Sequence, residues 1–225
     1  MMMPEFRHRN LPDSLADHIV TLIATGQLTA GERLFETQIC ERLGVSRVPV
    51  REALRILQAQ GVVRTEPNRG TFVTEFGSRE MLEMLEIRLV VEKVALRRLL
   101  LRARSEPNLF DAFQPHIEAM RQAALLSDRL AYCKADLGFH NCLIELSASP
   151  MLKPLWDCLS RDVFVFLMQE RDEGYDFNRS VADHERLLRV MRSRDADAIE
   201  RELQQHVQGT TRSKKARKLR QGQRK

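Results

Sequence analysis

Between Gly44 and Gly61 the chain reads GVSRVPVREALRILQAQG, an order of residues that few local structures satisfy. Ser46 is suited to N-cap a helix, because its hydroxyl can accept a hydrogen bond from one of the first unpaired backbone N–H groups. Val45 and Val50 fall at the N′ and N4 positions, where they can close over the helix start as a hydrophobic staple. Pro49 lies in the first turn, where its missing N–H costs nothing. Ala53, Leu54 and Leu57 then continue an apolar face at helical spacing, and Gly61 ends the helix as a C′ glycine. With that face buried, Arg47 and Arg51 stand four apart on the outer side near the N-terminal end. A recognition helix places its base and phosphate contacts there.

The flanking residues fit the same reading. Leu15, Ile19, Leu22 and Ile23 give one apolar face to a helix over Leu11–Thr25, closed by Gly26. Gly31 to Leu34 leads into a second helix, Glu36–Leu43, with Ile39, Cys40 and Leu43 inward. The three-residue turn Gly44, Val45, Ser46 then starts the recognition helix, which is helix-turn-helix spacing. Val62–Glu66 and Thr71–Thr74 are short and β-branched, and Pro67, Asn68, Arg69 and Gly70 between them are turn residues. This predicts a hairpin wing with Arg69 and Gly70 at its tip. Arg69 is either a solvated turn residue or a contact to an adjacent, electronegative minor groove; behind a recognition helix the groove contact is favoured.

At 225 residues the chain is long enough for two cores. Its 43% hydrophobic, 30% charged and 6% aromatic content is that of a helix-rich globular protein. No apolar run approaches the roughly 20 residues that span a bilayer. The start, MMMPEFRHRN, lacks the apolar stretch of a signal peptide, so the expected compartment is cytoplasmic, with no membrane partner. Cys40, Cys133, Cys142 and Cys158 are scattered without a Cys-x-x-Cys pair, which points to free thiols. Eight Lys and Arg crowd Arg212–Lys225 without an acid, more than the whole net charge of +5, leaving −3 on the rest. This tail has no apolar periodicity and is expected to be disordered. It is either simply solvated or a source of salt-sensitive DNA affinity. Arg42–Arg69 holds six arginines against Glu52 and Glu66, a local excess suited to phosphates.

From Ser78 the pattern is helical to the end. Met81, Leu82, Leu85, Leu89 and Val90 open a long helix running to about Arg104. Further helices are expected over Asn108–Leu126, from a Ser127 cap through Ser147, from Pro150 through about Arg171, over Arg179–Arg192 after a loop marked by Gly174 and Asn178, and from an Asp195 cap onward. Mostly short loops favour antiparallel neighbours. The fold class is therefore mainly α: an N-terminal winged helix-turn-helix followed by an antiparallel all-α bundle.

Inside that bundle, three histidines occupy positions where apolar residues are expected. His140 follows Asp136 by four, so the two share a helix face. His184 shares a face with Val181, Leu188 and Met191, and His206 with Ile199 and Leu203. One carboxylate and three imidazoles suit a divalent metal such as Zn, Ni, Fe or Mn. Hydrogen-bonded core histidines are the competing account, and spacing leaves both open. Asn141 and Cys133 beside them are taken as packing.

The segments GERLFE, VSRVPVREALRIL, QGVV and PNRGTFV closely resemble the winged helix of GntR-family bacterial transcription regulators. DLGFHNCLIELSASPML and VADHERLLRVMRSRDADAIERELQQHV resemble the ligand-binding (FCD) helical domain of that family's FadR-type branch. The resemblance implies residues 1–76 as a DNA-binding winged helix-turn-helix, 77–211 as a helical ligand-binding domain, and 212–225 as the basic disordered tail. It aligns Ser46, Arg47, Val48, Pro49 and Arg51 with DNA-contacting positions, and Arg69 and Gly70 with the wing tip. It assigns Asp136, His140, His184 and His206 to a metal, and aligns Arg88 with an arginine that faces the ligand pocket. A surface ion pair with Glu92 is the other account of Arg88. Two departures matter: Thr37 stands where a DNA-contacting arginine occurs in the branch, and Ser147–Pro150 replaces an Ala-Ser-Gly-Asn-Pro loop, so that loop is expected to differ. The resemblance further implies a homodimeric regulator, in the main a repressor, that binds a double-stranded DNA operator and is controlled by a small carboxylate on the metal. A metal sensor without an organic effector is the alternative. A metal-dependent hydrolase would leave the DNA reader unexplained and lacks a nameable second acid or base, so an enzyme is not expected.

Overall fold

The computed structural model describes residues 11–75, 77–170 and 175–209, and the chain divides into two compact units between Gly77 and Ser78. The basic tail, the first ten residues and Gly174 lie outside the described residues. In the first unit, α1 (Leu11–Ala24), α2 (Glu36–Leu43) and α3 (Arg47–Ala59) stand with strands β1 (Arg33–Leu34), β2 (Val63–Glu66) and β3 (Gly70–Val73). α1 packs on α3, and Leu15, Ile19, Val50, Ala53 and Leu57 are fully buried. The strands form an antiparallel sheet in the order β1-β3-β2. Strand β1 departs from the expected lead-in to α2. It is only two residues long, too short to show alternation in sequence.

The helix boundaries follow local chemistry. Gly44 and Gly61 both take the left-handed conformation just past α2 and α3, at φ 65° and 82°. Ser46 has the extended backbone of an N-cap, yet its hydroxyl accepts no capping bond, against expectation. The reason lies three residues on: Pro49 is at N3, so one of the two N–H groups an N-cap side chain can reach does not exist.

The second unit is all-helical among its described residues: α4 (Ser78–Arg102), a 3-10 turn (Pro107–Phe113), α5 (Gln114–Leu125), α6 (Arg129–Leu146), α7 (Leu152–Glu170), α8 (Phe177–Ser193) and α9 (Ala196–Gly209). The single helix expected over Asn108–Leu126 is thus two elements, divided just before Pro115, whose missing N–H suits a helix start. Ser127 does not cap α6; it sits at φ 53°, and the Asp128 carboxylate accepts the Ala131 N–H at 2.9 Å. Asp176 likewise caps α8 through the Arg179 N–H, which places Asn178 in the helix rather than in a loop. Asp195 caps α9 as expected. At the far end of α6, Arg102 donates to the Leu146 carbonyl, while Arg98 donates to those of Ser147 and Ala148. Two side chains from α4 thereby satisfy carbonyls that the helix leaves open. α6 packs against α4, α5 and α7, and so places its inward face at the centre of the bundle.

Candidate metal centre and nucleic-acid face

That inward face carries Tyr132, Cys133, Asp136, Phe139, His140 and Leu143, all buried. His184 arrives from α8 and His206 from α9, and one ring nitrogen from each of the three histidines lies within 4.8 Å of the others. His206 Nε2 is 3.3 Å from His140 Nε2, and His184 Nε2 is 3.4 Å from Asp136 Oδ2. The outer bonds fix where the protons are. His184 Nδ1 lies 2.8 Å from the Ser180 carbonyl, which can only accept, so Nδ1 carries a hydrogen. His140 Nδ1 lies 2.9 Å from Glu92 Oε2. Burial pushes the Glu92 carboxyl up, but Arg88 and His140 together outweigh it and bring it down to about 2. Glu92 is therefore ionised and can only accept, so His140 Nδ1 carries a hydrogen as well.

Three imidazole rings thus converge in a buried centre, with the Asp136 carboxylate 3.4 Å from one of them. A divalent cation is a species that such a donor set can hold. Burial and then Arg88 hold His140 below the usual imidazole range; burial and the two neighbouring imidazoles hold His206 well below it. Neutral rings are the metal-binding form. His184 Nε2 and His206 Nδ1 are buried without a hydrogen-bond partner, so the residues present fit a metal.

Sequence reasoning missed Glu92. It offered Glu92 only as the exposed partner of Arg88. The ion pair is present, Nε to Oε1 at 2.6 Å, but both side chains are fully buried and the second carboxylate oxygen holds His140. A carboxylate that fixes the tautomer of a ligating histidine is a recurrent outer partner in metal sites. The one sequence signal was the i, i+4 spacing of Arg88 and Glu92; nothing in it points to a histidine 48 residues away. Arg88 Nη1 and Nη2 are buried and find no protein acceptor. Asn141 accepts the Trp156 indole N–H, a packing role, and Cys133 is fully buried.

In the first unit, Ser46, Arg47, Val48 and Arg51 are exposed at the start of α3, with Val48 at 71%, and Pro49 is half-buried. Thr37 is exposed on α2. The β2–β3 turn holds Asn68 at φ 61° and presents Arg69 to solvent. Gly70 at φ 106° is needed there: a Cβ would also come within 2.9 Å of Arg33 Nε. Arg64 and Arg69 share Glu66 and both lie over the Phe72 ring.

Residues 11–73 match the family "Bacterial regulatory proteins, gntR family", and residues 83–209 match the FCD domain. The chain is 28% identical over 191 residues to a probable D-xylose utilization operon transcriptional repressor of Paenarthrobacter nicotinovorans, covering 85% of this chain and 83% of that one. It is 27% identical over 195 residues to the gluconate operon transcriptional repressor of Bacillus licheniformis, covering 83% and 79%. Among solved structures, E. coli McbR/YncC superposes with a TM-score of 0.77 at 22% identity, over 89% of this chain and 95% of that one. A GntR regulator from Rhodococcus sp. RHA1 does so at 0.69 and 22%, over 88% and 94%. These relatives are regulators, a non-catalytic class. Among the described residues no helix is long and apolar enough to cross a membrane. The chain belongs to the GntR family of bacterial transcription regulators and carries an FCD domain behind its winged helix.

Proposed function

We propose that this regulator reads a DNA operator through α3 and the wing, and that a divalent cation held by Asp136, His140, His184 and His206 sets its operator affinity. The observation that supports this reading is the convergence of three buried imidazoles from α6, α8 and α9, one of them 3.4 Å from the buried Asp136 carboxylate. When bound, the cation supplies charge and a fixed geometry; the chain's own groups orient it, with Glu92 and the Ser180 carbonyl holding two of the rings. Zn, Ni, Fe and Mn are the candidates that the donor set admits. Repression is the expected sign, in keeping with the names of the two curated relatives above. A cation regulates only if it binds one arrangement of the protein better than the other.

Two experiments test this. Replacing both Arg47 and Arg51 by Ala should abolish preferential operator binding; affinity near that of the wild type would overturn the role of α3. Titrating each metal into chelated protein should change operator affinity, and His184→Ala should remove both the bound metal and the response. Metal content undiminished in His184→Ala and in His206→Ala would overturn the site.

One observation favours a second reading, in which a small carboxylate completes the metal and is the effector. The terminal nitrogens of Arg88 are buried donors in want of an acceptor, and a guanidinium edge pairs with a carboxylate in two parallel hydrogen bonds. If so, Arg88→Lys keeps the metal and its affinity but loses the response to organic acids. A full response to metal alone, with no acid present, decides for the first reading.

A further inference from the structure

Arg51 is tethered on the recognition helix. Its Nε donates to Glu36 Oε2 at 2.8 Å, so an acid in the first turn of α2 holds an arginine in the second turn of α3. The two side chains are 58% and 37% exposed, and an exposed pair of this kind adds little to stability. Its effect on geometry is larger. The bond engages one of three guanidinium nitrogens, and it engages the one nearest the chain. The orientation of the group is then restrained, while Nη1 and Nη2 remain available to another acceptor. Arg47, one turn earlier on the same face, has no acidic partner among the described residues. Arg47 and Arg51 are therefore not equivalent: one is free to follow a phosphate, the other is restrained by Glu36.

A guanine presents O6 and N7 in its major-groove edge, and a guanidinium reads both only when the two groups are coplanar. A phosphate makes no such demand. We propose that Glu36 is a positioning residue for base reading: it holds the Arg51 guanidinium so that Nη1 and Nη2 meet the O6/N7 edge of one guanine in each operator half-site. This rests on the DNA-reading function proposed above.

The test begins by selecting duplexes from a random pool with the full-length wild-type chain. Affinities for the selected duplex and for a scrambled duplex of the same composition are then measured by fluorescence anisotropy for wild type, Glu36→Ala, Glu36→Gln, Arg51→Ala and the Glu36→Ala/Arg51→Ala pair. Glu36→Ala should lose about tenfold or more on the selected duplex, the scale of one good base contact. It should bind the scrambled duplex unchanged or more tightly, since a negative charge near the phosphates has gone. Glu36→Gln, whose amide oxygen still accepts from Nε, should stay within about threefold of wild type. The double variant should be no weaker than Arg51→Ala alone. Equal tightening of both duplexes by Glu36→Ala and Glu36→Gln would show simple charge repulsion and overturn the proposal. Equal weakening on both duplexes with a lower thermal midpoint would show a structural role and overturn it too. If wild type selects no sequence at all, the DNA-reading function itself falls and Glu36 with it; if wild type selects a sequence that Glu36→Ala discriminates as well, only the role of Glu36 falls.

Discussion

Glu92 faces two ways: one oxygen to Arg88 and the other to His140. Glu92→Gln should keep the fold and lower metal affinity roughly 10–100-fold, because the ring it orients becomes free to turn; competition with a coloured chelator measures this. Asp162 on α7 is a half-buried acid of a different kind. Its Oδ1 has no hydrogen-bond partner, and burial raises its carboxyl from 3.8 to about 7. The folded value lies above the unfolded one, so the contribution of the acid to stability is full below about pH 3.8 and is lost as pH rises through about 7. Asp162→Asn, neutral throughout, should therefore gain thermal midpoint relative to wild type at pH 8 but not at pH 4, followed by circular dichroism. At this scale the sequence showed which residues carry chemistry but not what completes them. His140, His184 and His206 stood out as polar interruptions of apolar faces. Glu92 did not, because an i, i+4 pair with Arg88 reads equally well as a surface feature, and its true partner is set by how α4 packs on α6.

The elements were legible where their punctuation is local. Asp195 before α9, Gly44 after α2 and Gly61 after α3 mark true ends because a cap acts within one turn. The reading failed where two signals compete: beside Asp128 the weaker hydroxyl of Ser127 is passed over, and the bend before α5 is set by Pro115 while the helical spacing of Phe110, Phe113 and Ile117 continues across it. The close approach of α5 to α6 was not legible. Gly138 on α6 reads as a weak point in a helix. A Cβ there would come within 2.7 Å of the His116 ring on α5, so the glycine lets the two helices close. Gly138→Ala gains ~1 kcal/mol of helix propensity and meets an overpacking cost of about 1–3 kcal/mol. A net loss, seen as a lower urea midpoint at unchanged slope, is the expected result.

For the molecule as a whole, the expected partner beyond DNA is a second copy. Ile87, Val90, Val94 and Leu101 leave an exposed apolar stripe along α4, with Val90 at 62%. The same helix exposes Glu80, Glu83 and Glu86 toward its start and Arg97, Arg98 and Arg104 at and just beyond its end. Antiparallel pairing of two copies sets opposite charges together, whereas parallel pairing sets like charges together. Val90→Arg should thus yield a monomer in sedimentation, with helix content unchanged and operator affinity reduced.

The ligand set proposed for the metal spans the chain from α6 to α9, and His206 stands 66 residues beyond His140. Such a set has a consequence in time. During synthesis it stays incomplete until α9 has emerged, so loading follows the folding of nearly the whole bundle. Afterwards α9 is held by Ile199, Leu203 and Val207 and by the ion pairs of Glu200 with Lys93 and Arg97 and of Glu202 with Arg186, and its undocking would be the step that paces metal release. The response to falling metal would run at the rate of that local opening, slower than diffusion of the ion and measurable as amide exchange along α9.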